Sequence, residues 1–305
     1  MDFLSAIKSI AGEECIFCNE MMSDHTTFKV GGPAKYFVVP YRAEDIKKYI
    51  LAAEEYKIPY YVIGNGSNLL VSDKGYDGMI IMLGRDLGNI TVNGDRITAE
   101  AGTSLARLFN TARRHSLSGL EFAAGIPGTL GGACYMNAGA YGGEMKDVLT
   151  KVVTIDRQGN THEYKQGEME LSYRNSIFIR KQEIILSAEM KLCKGDVEKM
   201  TRKVNELLEK RKEKQPLEYP SAGSTFKRPE GDFAGRLIEE CGLKGKGVNG
   251  AEVSEKHAGF IINRNNATAR DIYDTINLVI DTVLEKTGIK LEPEVRLLGD
   301  FSGNT

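Results

Sequence analysis

The chain lacks an excess of either charge. Its 305 residues carry 40 lysines and arginines against 42 aspartates and glutamates, a formal net charge of −2. That balance leaves no electrostatic footprint for nucleic acid or an anionic membrane, so any anionic ligand must be held by local groups. A long hydrophobic run is missing too. The longest uncharged stretch, Phe122 to Gly143, has the length of a membrane span, but glycines, Pro127 and Asn137 break it up. A loop system that approaches a ligand closely explains those breakers better than a membrane helix does. No charged n-region precedes a long apolar h-region at the N-terminus, so no signal peptide and a cytoplasmic location are expected. Cysteine is sparse: Cys15, Cys18, Cys134, Cys193 and Cys241, an odd, scattered set that suits a reducing compartment. Cys15-Ile-Phe-Cys18 has CxxC spacing, but no second CxxC and no histidine pair accompany it. A structural zinc needs four ligands, so no metal site is expected. Internal repeats and low-complexity linkers are absent as well.

What is present alternates between helix and strand patterns. Phe3, Leu4, Ile7 and Ile10 recur at helical spacing, as do Ile46, Tyr49, Ile50 and Ala53 within Glu44 to Tyr56. Strand-like runs occur at 35–39, 59–63, 79–82, 89–92, 97–100, 149–155, 176–179 and 183–192, with a helix expected over Ser104 to His115. Asp196 reads as the N-cap of a long helix to about Lys214, and Pro216 after its charged end marks a domain boundary. Helices follow over Asp232–Cys241 and Thr268–Lys286, the latter opening on Thr268-x-x-Asp271. A final strand is expected from Ile289 to Leu297. The class is α+β.

Several segments carry chemistry. Gly64-Asn-Gly-Ser-Asn-Leu-Leu-Val71 follows a strand but has Leu69 where a dinucleotide fingerprint needs glycine, and a strand-like run follows, so it is no Rossmann turn. It is either a tight turn or a nest of backbone N–H groups for a pyrophosphate. The glycine-rich stretch from Gly119 to Gly143 costs chain entropy and contains Leu120, Phe122, Ile126 and Leu130, too apolar for a solvated loop. Close approach to a flat, polar cofactor accounts for both. Arg174, in Tyr173-Arg-Asn-Ser176 ahead of an expected strand, is by itself an ordinary surface arginine. Ser224 lies in Ser221-Ala-Gly-Ser-Thr-Phe-Lys227 with no histidine beside it and no G-x-S-x-G elbow, which argues against a nucleophile and leaves a turn serine. Alternation in the final strand puts Ile289, Leu291, Val295 and Leu297 on one face and Lys290, Glu292, Glu294 and Arg296 on the other, where Glu294 and Arg296 either reach a cleft or are solvated at an edge marked by Pro293.

Taken in order, these segments resemble the UDP-N-acetylenolpyruvoylglucosamine reductase family. The matching pieces are Thr27-Phe-Lys-Val-Gly-Gly-Pro-Ala34, Gly64 to Val71, Gly125-Ile-Pro-Gly-Thr-Leu-Gly-Gly132 with Asn137-Ala-Gly-Ala-Tyr-Gly142, Tyr173 to Ser176, Gly223 to Lys227 and Leu291-Glu-Pro-Glu-Val-Arg296. Each is weak alone; six in the family's order across nearly the whole chain are specific. Only 49 residues separate Arg174 from Ser224, so the chain resembles the family's shorter form, without a tyrosine-bearing insertion.

The resemblance implies an FAD-binding fold of the vanillyl-alcohol-oxidase type in two subdomains, 1–87 (joined by 291–305) and 88–202, with a substrate-binding α+β subdomain over 203–290. It implies FAD cradled by Gly64, Asn65, Gly66, Ser67 and Asn68, lined by Pro127, Gly128, Gly131, Gly132 and Gly139, and met by Arg211. It implies NADPH as reductant, an enolpyruvyl UDP-sugar as substrate, and a monomer without nucleic-acid or membrane partners. Arg174, Ser224 and Glu294 map onto the family's catalytic residues. Arg174 would stabilise developing negative charge, Glu294 would assist when protonated, and Ser224 would donate a proton. Lys214 and Arg296 are expected to meet the substrate. A flavin oxidase of the same fold or a non-catalytic nucleotide-binding module are the competing readings; neither needs Ser224, Arg174 and Glu294 together.

Overall fold

Short apolar runs separated by amphipathic helices produce two separately packed units in the computed structural model, which describes residues 2–303. Position 1 of the expected first subdomain and positions 304–305 of the expected C-terminal segment lie outside the described residues. The first unit comprises the stretch ending at Cys18, Tyr36–Asn65 and Gly78–Lys210; the second comprises Asn19–Lys35, Gly66–Asp77 and the stretch from Arg211 onward.

In the first unit a five-stranded antiparallel sheet runs in the order Thr161–Lys165, Leu149–Ile155, Ile184–Lys191, Arg96–Glu100, Ile90–Asn93. Two register shifts between Leu149–Ile155 and Ile184–Lys191 interrupt the simple alternation, and Leu149, Val152 and Thr154 turn inward as a result. Helix Leu105–Arg114 begins where Ser104 Oγ accepts the N–H of Arg107 at 3.3 Å, and it buries Leu105, Leu108, Phe109 and Ala112. Helix Ala43–Glu55 buries Ile46, Tyr49, Ile50 and Ala53, the face its spacing predicts. A buried polar cluster ties sheet and connections together: Thr154 and Tyr164 both donate to the carboxyl of Glu183, at 2.5 and 2.8 Å, and Lys181 Nζ donates to the Tyr164 hydroxyl at 2.8 Å.

The expected strand at 176–179 is instead the start of a short helix, Ile177–Lys181. Its run of Ile177, Phe178 and Ile179 suits either structure. Tertiary context decides: Ser176 Oγ donates to the carbonyl of Tyr135 at 2.7 Å, while Ile177 and Phe178 enter the core and Gln182 closes the turn in the left-handed region at φ 54°.

In the second unit the long helix Ala269–Thr287 starts at a complete capping box between Thr268 and Asp271 and stops at Gly288, φ 73°. Its buried face, Ile272, Ile276, Val279 and Val283, shares a core with Leu237, Ile238, Ala251, Val253 and Ile261. These come from helix Ala234–Glu240 and the three-stranded antiparallel sheet Gly247–Val248, Ala251–Val253, Ile261–Asn263. The expected strand Ile289–Leu297 is regular only over Arg296–Leu298, in parallel with Leu69–Val71. Residues 292–294 pair elsewhere, on 225–227 through an isolated antiparallel bridge between Phe226 and Pro293. Proline has no N–H for a second ladder, and the chain changes partners just past it, so the two-residue alternation fails and Leu297 is exposed while Leu298 is buried. Among the described residues no helix is long and apolar enough to cross a membrane, no group of three or more His, Cys, Asp or Glu is gathered for a metal, and the cysteines are free.

Candidate active site

The glycine loops of the first unit are shaped by contacts a side chain would fill. A Cβ on Gly64 would lie 2.3 Å from Thr129 Oγ1, so that turn packs directly on the loop 127–129. Asn65 Nδ2 reaches across to the carbonyl of Pro127 at 3.3 Å. The N–H groups of Asn65, Gly128 and Thr129 find no acceptor among the described residues. Gly131 has a different reason to be glycine: its N–H donates to the carbonyl of Ala101 at 2.9 Å and a Cβ would meet Ala101 Cβ at the same separation, so it lets helix Leu130–Tyr135 lie against a strand end. Pro127 and Gly132 are exposed.

Arg174 sits at the tip of a tight turn. Ser172 and Asn175 exchange backbone hydrogen bonds at 3.1 and 3.2 Å, and Arg174 is left-handed at φ 51°, a conformation rare for a non-glycine residue. Its guanidinium stacks over Tyr173 at 5.0 Å and donates to the carbonyl of Gly139 at 3.5 Å. Gly139 and Arg174 are therefore brought together, although 35 residues apart.

In the second unit Gly66 has φ 58°, and a Cβ there would lie 2.0 Å from the carbonyl oxygen of His25. Among the described residues the N–H groups of Gly66, Ser67 and Asn68 also lack acceptors. Asn68 organises the last strand: its side chain donates to the carbonyl of Glu294 at 3.2 Å, and its own carbonyl accepts the N–H of Arg296 at 3.0 Å. Exposed Ser224 precedes Thr225, which is fixed on three sides. Its N–H donates to Gly259 O at 2.8 Å, its hydroxyl accepts the N–H of Ile261 at 3.0 Å, and its carbonyl accepts the N–H of Glu294 at 2.8 Å. Asn68, Ser224, Glu294 and Arg296 thus share one edge of this unit. His257 supports Gly259: half-buried against Phe260, its Nδ1 accepts the N–H of Gly259 at 3.1 Å, and partial burial lowers its pKa below the ordinary histidine value. Lys214 is exposed at the end of helix Val197–Lys214, and Arg211 is half-buried one turn earlier.

Comparison with known proteins decides the family. Residues 215–298 match the UDP-N-acetylenolpyruvoylglucosamine reductase C-terminal domain, and residues 34–165 match an FAD binding domain. A reductase of that name from Caldanaerobacter subterraneus is 50% identical over 96% of this chain and 97% of its own length. The chain belongs to the UDP-N-acetylenolpyruvoylglucosamine reductase family. Within it, a reductase from Syntrophomonas wolfei is 52% identical over 94% of this chain and 96% of its own. The crystal structure of the reductase from Thermus caldophilus superposes with a TM-score of 0.78 at 37% identity, covering 92% and 97% of the two chains. The pollen protein Phl p 4, a glucose oxidase variant, shares the fold alone, at 14% identity and a TM-score of 0.52 over 65% of this chain and 45% of its own. That fold is the FAD-binding α+β type of the vanillyl-alcohol-oxidase class.

The residues fit a reductase's flavin dinucleotide. Each unit has a turn whose backbone N–H groups lack acceptors among the described residues, Asn65, Gly128 and Thr129 in the first and Gly66 to Asn68 in the second, and the glycines at 64 and 66 cannot take a side chain; each such nest suits a phosphate. Three supporting residues have no role assigned from the sequence: Asn137 and Thr129, which lie within the matching motifs, and His257. For Asn137 a signal existed, an asparagine opening a glycine hairpin, the residue type that tolerates left-handed backbone. Thr129 and His257 act through folded contacts and carry no such mark.

Proposed function

We propose that this chain reduces the enolpyruvyl group of UDP-N-acetylenolpyruvoylglucosamine to give UDP-N-acetylmuramate, with FAD as cofactor, NADPH as reductant and Ser224 as proton donor. The observation that carries the assignment of Ser224 is the bridge that sets its loop beside Glu294, with Thr225 O accepting Glu294 N–H. FAD, when bound, supplies hydride transfer to the terminal alkene carbon after reduction by NADPH. Gly64, Asn65, Gly66, Ser67, Asn68, Pro127, Gly128, Gly132 and Gly139 hold the cofactor chiefly through backbone, Gly131 by letting its helix pack close, and Arg211 by charge.

Addition of hydride leaves negative charge on the carbon beside the substrate carboxylate. The guanidinium of Arg174 is a permanent cation for that enolate-like charge. Glu294 assists as a protonated or proton-sharing carboxyl, since a bare carboxylate would repel it. Ser224 gives its hydroxyl proton to the carbanion. A hydroxyl is a weak acid, but the carbanion is strongly basic, so placement matters more than acidity. Lys214 and Arg296 bind the anionic parts of the substrate.

The test is spectroscopic. Purified protein should carry, or regain with added FAD, a flavin absorbance that NADPH bleaches. Anaerobic addition of the enolpyruvyl sugar nucleotide should restore it. Reoxidation by oxygen alone would instead support an oxidase, and failure to bind FAD would remove the flavoenzyme reading.

A further inference from the structure

Asn137 is fully buried, left-handed at φ 42°, and uses its whole carboxamide. Its Nδ2 donates to Glu144 Oε2 at 2.7 Å and to the carbonyl of Ser172 at 3.0 Å, while its Oδ1 accepts the N–H of Lys146 at 2.9 Å. These partners lie on two separate pieces of chain. Glu144 belongs to the hairpin that pairs Gly139–Ala140 with Gly143–Glu144. Ser172 opens the turn whose tip is Arg174. One amide therefore fixes two of the places where Arg174 is held: the turn that sets its left-handed backbone, and the hairpin whose Gly139 carbonyl receives its guanidinium.

We infer that Asn137 is a positioning residue for Arg174, required for the chemical step rather than for the fold alone. This rests on the proposed role of Arg174. A left-handed arginine is strained unless its surroundings over-determine it. The turn is clamped at its exit by Ser176 Oγ on the carbonyl of Tyr135, and at its entry by Asn137. Releasing the entry lets the turn relax toward ordinary backbone and carries the guanidinium away from Gly139. Asparagine suits the place because it alone offers two donors and an acceptor in so short a side chain. Aspartate is nearly isosteric but brings a second carboxylate beside Glu144 and loses the donor to Ser172.

The test uses flavin-loaded Asn137→Asp. Flavin reduction by NADPH should stay within a few-fold of the parent. Reoxidation by the enolpyruvyl sugar nucleotide should slow about 100-fold at neutral to alkaline pH, the scale of a ~1 Å misplacement. The ratio of variant to parent rate should then rise as pH falls, because protonating the introduced carboxyl ends its repulsion with Glu144, the partner of Lys146, and returns one of the two lost donors to this corner. Without FAD, amide exchange over 172–176 should be about tenfold faster than in the parent, reporting a loosened turn directly. Adding Glu144→Gln to the variant leaves a single carboxylate at this place and should restore part of the rate. Parent-like reoxidation in the single variant, or equal loss of both half-reactions, overturns the inference; so does misfolding of both variants, which assigns Asn137 to stability alone. Arg174→Lys separates the premises. Undiminished reoxidation there sinks the role of Arg174 itself. Slow reoxidation there with parent-like Asn137→Asp sinks only the positioning.

Discussion

The backbone N–H of Glu294 donates to the carbonyl of Thr225 at 2.8 Å. This bond joins a small-residue loop to a strand far along the chain, and it makes Ser224 a neighbour of Glu294 without any contact between their side chains being needed. The flanking Phe226–Pro293 bridge and the ion pair between Lys227 and Glu292 at 3.0 Å keep the two segments in register. Anything that loosens Thr225 should therefore be felt at Ser224.

His257 gives a pH-dependent test of that support. Its Nδ1 accepts from Gly259 only while the ring is neutral, and burial lowers its pKa from the ordinary 6.5. A histidine with a lowered native pKa adds stability that is fully present above the ordinary value and is lost as pH falls from there toward the native one. The thermal midpoint should fall as the solution is taken from about pH 7 to about pH 5. His257→Asn, whose Oδ1 offers a similar acceptor without titrating, should flatten that fall. An equal pH response in both proteins would remove His257 from the explanation.

Gly66→Ala should be far more harmful than Gly142→Ala. Both glycines have positive φ, 58° and 87°, which costs alanine about 1 kcal/mol. A Cβ at 66 would also sit 2.0 Å from His25 O, whereas nothing lies within 4 Å at 142. Thermal unfolding and flavin retention after gel filtration measure the difference. Similar losses at the two sites would show that the turn at 66 relaxes freely.

Tyr164→Phe should destabilise the first unit by about 1–3 kcal/mol, because it strips a donor from the buried carboxyl of Glu183 and an acceptor from Lys181. Chemical denaturation monitored by circular dichroism reads this. A variant as stable as the parent would mean that water or Lys181 takes over.

Much of the fold was legible where local signals agree. Asp196 and Thr268 announce their helices by capping, and the core face of Ala43–Glu55 follows helical spacing. Legibility failed where tertiary contacts overrule pattern. Ile177–Lys181 is helical because Ser176 is tied to Tyr135, and the final strand loses its alternation where Pro293 forces a change of partner. The glycine loops and Ser224 are singled out in the sequence by the family's order of motifs along the chain. The reasons they hold their shapes, Thr129 against Gly64, His25 against Gly66 and Asn137 beneath Ser172, lie in contacts between distant residues that no local pattern encodes.

The most direct test of Ser224 as proton donor is anaerobic rapid mixing of Ser224→Ala, first with NADPH and then with the enolpyruvyl sugar nucleotide. Flavin reduction should proceed within a few-fold of the parent. Reoxidation by substrate should be slower by about 10²–10⁴-fold, the usual worth of a positioned proton donor. Reoxidation at the parent's rate would contradict the assignment and move the proton to another group.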